Sequence, residues 1–258
     1  MHLNKFMCLF VIVGCIITIS SCSNLDQRYP PKIPYDTSYI APTNEQKLWA
    51  LAVCAILTES NNERHDILGG AERTQDEIQG WKASLKEWWG VNNRADLLKT
   101  LKWIEEGGHR KQFDKFNRYL SIASPEDIAA VQNKWRNNPE SLNKFEIALK
   151  YSNEFGEKSI SAWDYSRYIS LCGWGYIVGY LTEEEAWQKI MPAARVLQIT
   201  FNSWEELGKN YVVGREFWSL KQTKQRGDLT SECYNKLLND PESPWILIPW
   251  NLNLTKMK

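Results

Sequence analysis

Two charged residues stand alone in the most apolar stretch of the chain after its N-terminal segment. Residues 159–182, SISAWDYSRYISLCGWGYIVGYLT, contain only Asp164 and Arg167 as charged side chains. Because residues three positions apart lie on the same side of a helix, the two charges share one face of an otherwise apolar or small-residue segment. A buried ion without a partner is strongly penalised, so both charges need partners from elsewhere in the chain.

Six further side chains are candidate partners for this pair. They are Asp96, His109, Arg110, Glu205, Glu206 and Arg215. In the favoured interpretation these groups form a buried ionic network that pins helices together. In the alternative they line a polar cleft, where an arginine binds a carboxylate or phosphate and His109 or Glu206 moves protons. The arginines available for that role are Arg110, Arg167 and Arg215.

Motifs that identify common enzyme and metal sites are missing from the sequence. It contains no GxSxG, no HExxH, no CxxC and no glycine-rich phosphate loop. The sequence therefore predicts neither a metal site nor a cofactor.

Behind the N-terminal segment, Cys54, Cys172 and Cys233 allow at most one disulfide. Cys54 and Cys172 lie among apolar residues, which predicts that they are buried small hydrophobes.

Charge and aromatic content narrow the range of partners. Removal of residues 1–21 takes away one charged side chain, Lys5, and leaves 30 Lys and Arg against 31 Asp and Glu. A net charge near −1 is unlike the basic surface of a nucleic-acid-binding protein.

The 13 tryptophans are expected mainly in the core, where each indole N–H needs an acceptor. The alternative is an aromatic surface that stacks on sugars or peptides.

The first 22 residues predict a lipoprotein signal. An apolar run from Phe6 to Ile19 is too short to cross a bilayer, and Ile19-Ser20-Ser21-Cys22 is typical of a bacterial lipobox. Residues 1–21 would be the signal peptide, and lipid on Cys22 would tether the protein to a membrane of the cell envelope. Ser23 favours the outer membrane over the inner membrane. The alternative is an uncleaved anchor over residues 3–21.

Residues 22–42 predict an extended tether, and residues 43–258 predict a single helical domain. The tether is proline-rich, with Pro30, Pro31, Pro34 and Pro42. Helix-start signals then recur at Thr43, Thr74, Ser124, Asn138, Thr182 and Ser203. Apolar residues at helical spacing between these signals predict an all-α fold of about nine helices. The one strand candidate is the segment 245–249, which prolines flank.

Blocks anchored by tryptophan carry a resemblance over about residues 88–250. They are WWGVNNRADLLKTLKW (88–103), EGGHRKQF (106–113), AWDYSR (162–167), GWGYIVGY (173–180), EEAW (184–187), SWEELGKNYVVGREFW (203–218) and SPWILIPW (243–250). In this order they resemble the bacterial family known as domain of unknown function 1266. The resemblance implies a helical domain built around these positions. Because the family has no established activity, it implies no catalytic or ligand-binding residue.

Two functions from different classes follow from these features. The favoured one is a non-enzymatic binding or scaffolding module that recognises a protein or an envelope component through a helical surface. The alternative is a metal-independent hydrolase or transferase, which would use His109 with Asp164, Glu206 and an arginine. A toxin-neutralising immunity protein is a third class, but the balanced charge gives it no support.

Overall fold

The computed structural model describes residues 40–255. The predicted signal peptide (1–21), the lipidation site at Cys22 and most of the predicted tether lie outside the described residues. Within residues 40–255 there are 13 α-helices, one short 3-10 helix and no strand. This confirms the all-α class and a single globular helical domain. None of the described helices is long and apolar enough to cross a membrane.

Most of the described helices follow one another with short connections. In chain order the helices are α1 (Asn44–Ala52), α2 (Ala55–Ser60), α3 (Gln75–Trp89), α4 (Arg94–Glu105), α5 (Arg110–Leu120), α6 (Pro125–Trp135), α7 (Pro139–Phe155), η1 (Gly156–Lys158), α8 (Ser161–Ile177), α9 (Glu183–Thr200), α10 (Trp204–Trp218), α11 (Leu220–Arg226), α12 (Leu229–Asn239) and α13 (Pro244–Leu247). The longest connection, residues 61–74, joins α2 to α3. The count of helices exceeds the nine expected. Helices of four to seven residues, such as α2, α11 and α13, contain too few turns to produce a recognisable apolar period.

Side-chain caps fix where many of the described helices begin, although the central α8 has none. Thr43 and Thr182 form complete capping boxes, in which the cap hydroxyl and the third helical side chain each accept a backbone N–H. Thr74 and Ser203 supply the hydroxyl half of the same motif to α3 and α10. The strand suggested for residues 245–249 was wrong. Ser243 accepts a hydrogen bond from the Ile246 N–H and starts α13 instead.

Helix α8 is the centre of the fold. Of its 17 residues, 16 are buried, and it packs against α3, α4, α9 and α10. Glycine permits close approach to α8 both from α10 and from the loop between α2 and α3. A methyl group on Gly173 would lie 2.8 Å from the Gly69 Cα, and one on Gly214 would lie 2.3 Å from the Trp163 Cβ. The apolar segment identified in the sequence is therefore the helix around which the domain is built.

Tryptophans make up much of this core, as expected from their number. Six are buried: Trp49, Trp163, Trp174, Trp187, Trp204 and Trp245. Two of their indole N–H groups donate hydrogen bonds to backbone carbonyl oxygens that are distant in the sequence. Trp49 donates to Trp250 O at 3.0 Å, and Trp245 donates to Ala52 O at 2.8 Å. The three described cysteines are buried as free thiols. Burial raises the pKa of the Cys54 thiol to about 12, which makes it inert.

Candidate ligand-binding groove and the adjoining charge network

Asp164 is fully buried in α8 and its carboxylate is saturated by the start of α5. Its Oδ2 accepts hydrogen bonds from the Arg110 N–H at 2.9 Å and from Arg110 Nη1 at 3.1 Å. Its Oδ1 accepts from the His109 N–H at 3.2 Å. The carboxylate therefore caps α5 from another helix, at the end where backbone N–H groups favour negative charge.

The Gly107-Gly108 corner makes this approach possible. Gly108 has a φ of +49°, and a methyl group there would lie 2.6 Å from the Asp164 Oδ2. Any other residue would be strained and would push the carboxylate away from α5. Burial alone would raise the pKa of Asp164, but the hydrogen bond from His109 and the positive charge of Arg110 bring that pKa below its ordinary value.

The Arg110 guanidinium is fully engaged by contacts within this chain, as expected of a charge with a structural role. Besides Asp164, its Nη2 donates to the Ile104 carbonyl oxygen at 2.9 Å, and its guanidinium lies 4.3 Å from the centre of the Tyr165 ring. Only 3% of the residue is exposed. A cation so completely enclosed by this chain has no face left for a ligand.

The His109 side chain lies between Asp164 and Arg167 and contacts both. The His109 Nδ1 lies 3.2 Å from the Asp164 Oδ1 and 3.2 Å from the Arg167 Nη1. The unprotonated nitrogen accepts from Arg167, whereas a protonated nitrogen donates to Asp164. Burial lowers the pKa of His109, and the Arg167 charge works in the same direction, against the hydrogen bond to Asp164. We call Asp164, His109, Arg110 and Arg167 the charge network.

Arg167 faces aromatic rings on its other sides. Its guanidinium carbon lies 4.3 Å from the Trp89 ring centre, 4.2 Å from that of Trp163 and 5.7 Å from that of Trp218. These are cation–π distances. No ion pair joins Arg167 to a carboxylate within residues 40–255. Burial lowers its pKa to about 10, so the guanidinium keeps its charge at neutral pH.

Arg215 in α10 is the least satisfied cation of the core. Only 8% of the residue is exposed, and its Nη1 is buried with no hydrogen-bond partner. Its guanidinium lies 4.9 Å from the Trp218 ring centre. Burial lowers its pKa as well; the positive charge of Arg226 works in the same direction, and the interaction with Tyr211 opposes both only in part. A buried donor left in this state costs free energy, and a bound acceptor would recover it.

Both arginines line a cavity of about 500 Å³, which we call the groove. One wall is a single face of α3, where Glu77, Trp81, Ser84 and Trp88 recur every three or four residues. The opposite wall comes from α8 and α10. Trp81 stacks across the groove on Trp174 with ring centres 4.5 Å apart. The result is an aromatic cleft with two buried cations in its lining.

The structure brings together some of the predicted site residues and separates the others. His109, Arg110, Asp164 and Arg167 form the charge network, and Arg215 joins Arg167 in the groove. Asp96 lies apart on the surface in the first turn of α4, where its carboxylate accepts from the Asn92 N–H at 3.0 Å. Glu206 lies on the surface too, paired with Lys158 and accepting from the Asn202 N–H at 2.8 Å.

The structure forms only part of the cluster that the enzymatic alternative needs: His109, Asp164 and two arginines lie together, but Glu206 lies apart from them. Glu206, one of its proposed proton carriers, belongs to the surface pair with Lys158 rather than to the charge network. Glu205 is exposed as well. Within residues 40–255, no group of three His, Cys, Asp or Glu side chains is arranged to hold a metal.

Sequence reasoning missed the contribution of α3 to the groove. Trp81, Trp88 and Trp89 line it, and so do Glu63 and Glu77. The signal was present: apolar or small residues at 81, 84 and 88 follow Glu77 on one face of a predicted helix.

Comparison with known proteins places the chain among relatives without an assigned activity. YbeR of Escherichia coli (strain K12), an uncharacterised protein, is 28% identical over 136 residues, which cover 50% of this chain and 54% of YbeR. YbeU of the same organism, also uncharacterised, is 28% identical over 175 residues, or 63% of this chain and 73% of YbeU. YnjI, described as an inner membrane protein, is 24% identical over 255 residues, or 92% of this chain and 68% of YnjI.

No solved structure matches this chain. The family described as "Protein of unknown function (DUF1266)" matches residues 84–250, a span that includes most of the groove and all of the charge network. The chain belongs to the DUF1266 family.

Proposed function

We propose that this protein is a non-enzymatic binding module of the cell envelope, which takes an anionic ligand with an apolar or aromatic body into the groove. The carboxylate or phosphate of the ligand would lie against Arg167 and Arg215. The body would pack on the surrounding tryptophans, as is usual for concave sites with a few polar groups.

The observation that carries this proposal is the buried Nη1 of Arg215, which has no hydrogen-bond partner. Asp164 and Arg110 show that the fold can satisfy a buried charge completely. Arg215 instead faces a cavity, next to a second guanidinium that is held by tryptophan rings rather than by a carboxylate. An anion would convert two unpaired cations into charge-assisted hydrogen bonds.

The envelope location rests on the N-terminal segment and on one relative. The lipobox at residues 19–22 supports lipidation of Cys22, and YnjI is described as an inner membrane protein. The outer-membrane destination rests on Ser23 alone.

The test is titration of the purified protein with phenylacetate and with phenyl phosphate. Binding is followed by calorimetry and by tryptophan fluorescence, since several tryptophans line the groove. We expect at least one of the two anions to bind, and Arg215→Met to weaken that binding at least tenfold. Arg136→Met is the matched control, because Arg136 is exposed and away from the groove.

Arg215→Met should remain folded, because it removes a buried cation that has no partner. Failure of both anions to bind, or equal binding by the Arg215→Met variant, would overturn the proposal. Release of phosphate from phenyl phosphate that is abolished by His109→Gln would favour the enzymatic alternative instead.

A further inference from the structure

The groove has carboxylates as well as arginines in its lining. Glu77 and Arg167 lie near opposite ends of α3. Glu77 lies in the first turn of this helix, and Trp89, which contacts Arg167, is its last residue. Twelve residues at a rise of 1.5 Å place the two positions about 18 Å apart along the helix axis. The groove therefore extends along α3, with Arg167 near the C-terminal end of this helix and Glu77 near its N-terminal end.

Glu63 adds a second carboxylate to the groove lining, besides Glu77. It follows α2, and its carboxylate accepts one hydrogen bond, from the Asn61 amide at 3.0 Å. Glu63 and Glu77 both line the groove, and neither forms an ion pair within the described part of the chain. Burial, with the negative charge of Glu77 adding to it, raises the pKa of Glu63 to about 7. A positive group bound here would offset that unfavourable environment.

The surface between the two ends suits a chain of amide groups and apolar side chains. Trp88 lines it together with Trp81 and Trp174, which stack on each other. Ser84, Gln222 and Thr230 also line the groove, and their side chains make no hydrogen bond to another described residue. Such groups are free to pair with peptide N–H and C=O groups.

Resting on the proposed function, we infer that the ligand is an extended oligopeptide of about five residues with both termini free. Its carboxylate would lie against Arg167 and Arg215, and its ammonium group would lie near Glu63 and Glu77. Five residues of extended chain span about 17 Å, close to the separation along α3. A single amino acid is too short to reach both ends.

The inference is tested with the pentapeptide Ala-Leu-Ala-Leu-Ala in four forms: free, N-acetylated, C-amidated and blocked at both ends. Calorimetric titration of the full-length protein should show binding of the free peptide, at least tenfold weaker binding after amidation and at least fivefold weaker binding after acetylation. The acetylation effect should vanish in Glu63→Gln, and the amidation effect should vanish in Arg215→Met. Glu87→Gln, an exposed change on α3 outside the groove lining, should preserve both effects.

The outcomes separate this inference from the proposed function. Binding of phenylacetate or phenyl phosphate without binding of any peptide would overturn the peptide inference and leave the anion site standing. If amidation weakens peptide binding and acetylation does not, Glu63 and Glu77 do not bind the ammonium group of the peptide, and that part of the inference is wrong. Failure of the anions and of every peptide would overturn both proposals.

Discussion

Two buried charges in neighbouring helices of this domain have opposite surroundings. Asp164 receives two backbone N–H groups and a guanidinium, all from the first turn of α5. Arg215 keeps one buried nitrogen without any acceptor. The surroundings of Asp164 are explained by stability, whereas the unpartnered nitrogen of Arg215 is the basis of the proposed anion site.

Replacement of Asp164 by Asn should be strongly destabilising. The amide lacks the negative charge that offsets Arg110, and its NH₂ group would face hydrogen-bond donors. Breaking a buried pair in this way costs about 3–5 kcal/mol. Urea unfolding followed by circular dichroism measures the loss. Asp228→Asn, at an exposed position, should change the free energy of unfolding by no more than about 0.5 kcal/mol.

A loss below about 1 kcal/mol for Asp164→Asn would mean that the charge network does not hold α5 against α8. The sequence predicted that Asp164 and Arg167 are buried, because they interrupt an apolar segment. It did not predict which of Arg110, Glu206 and Arg215 they meet. Pairing across helices depends on distances between elements, and helical spacing within one segment contains no such distances.

Helix α3 combines weak burial with a central role in the groove. Of its 15 residues only Leu85 is buried, although one face lines the cavity. Its ends are defined by local signals: the Thr74 hydroxyl accepts from the Glu77 N–H, and Gly90 closes the helix in the left-handed conformation at φ +66°. The stability of this wall therefore depends more on backbone preference than on packing.

Two alanine substitutions at glycines of α3 should have opposite effects. Gly80 lies inside the helix and Gly90 ends it, and an added methyl group meets nothing within 4 Å at either position. Gly80→Ala should raise the free energy of unfolding by about 0.5–1 kcal/mol, because alanine favours helix. Gly90→Ala should lower it by about 1–2 kcal/mol, because alanine is strained at positive φ. Urea unfolding of the two variants checks this, and a change of the same sign in both would contradict it.

The starts of six of the 13 described α-helices could be predicted from the sequence, whereas the short C-terminal elements could not. Thr43, Thr182 and Ser124 begin helices because their side chains satisfy nearby N–H groups, which is a local property. Helix α13 contains four residues and owes its place to tertiary contacts such as the Trp245 indole donating to the Ala52 carbonyl oxygen. Such contacts join residues 193 positions apart.

At the scale of the whole molecule, the groove and the charge network adjoin each other at α8. Arg167 belongs to both, since its Nη1 contacts His109 while its flat face lies on tryptophans of the groove. The charge network fixes α5 against α8, and so holds Arg167 in place. A ligand in the groove would then meet a guanidinium that is already oriented, which reduces the entropy lost on binding.

Attachment of the domain to the envelope is predicted to depend on Cys22. Two or three acyl chains, at about 0.8 kcal/mol for each buried methylene, would hold the protein on the membrane almost permanently. Cys22→Ser should therefore move the protein from the membrane fraction to the soluble fraction, or leave it with an unprocessed signal. Fractionation, metabolic labelling with palmitate and the mass of the purified protein measure these changes. Cys15→Ser, inside the same apolar run, is the matched control and should leave all three unchanged. If Cys22→Ser fractionates and is processed like the unmodified sequence, the lipobox is refuted and the uncleaved anchor over residues 3–21 takes its place.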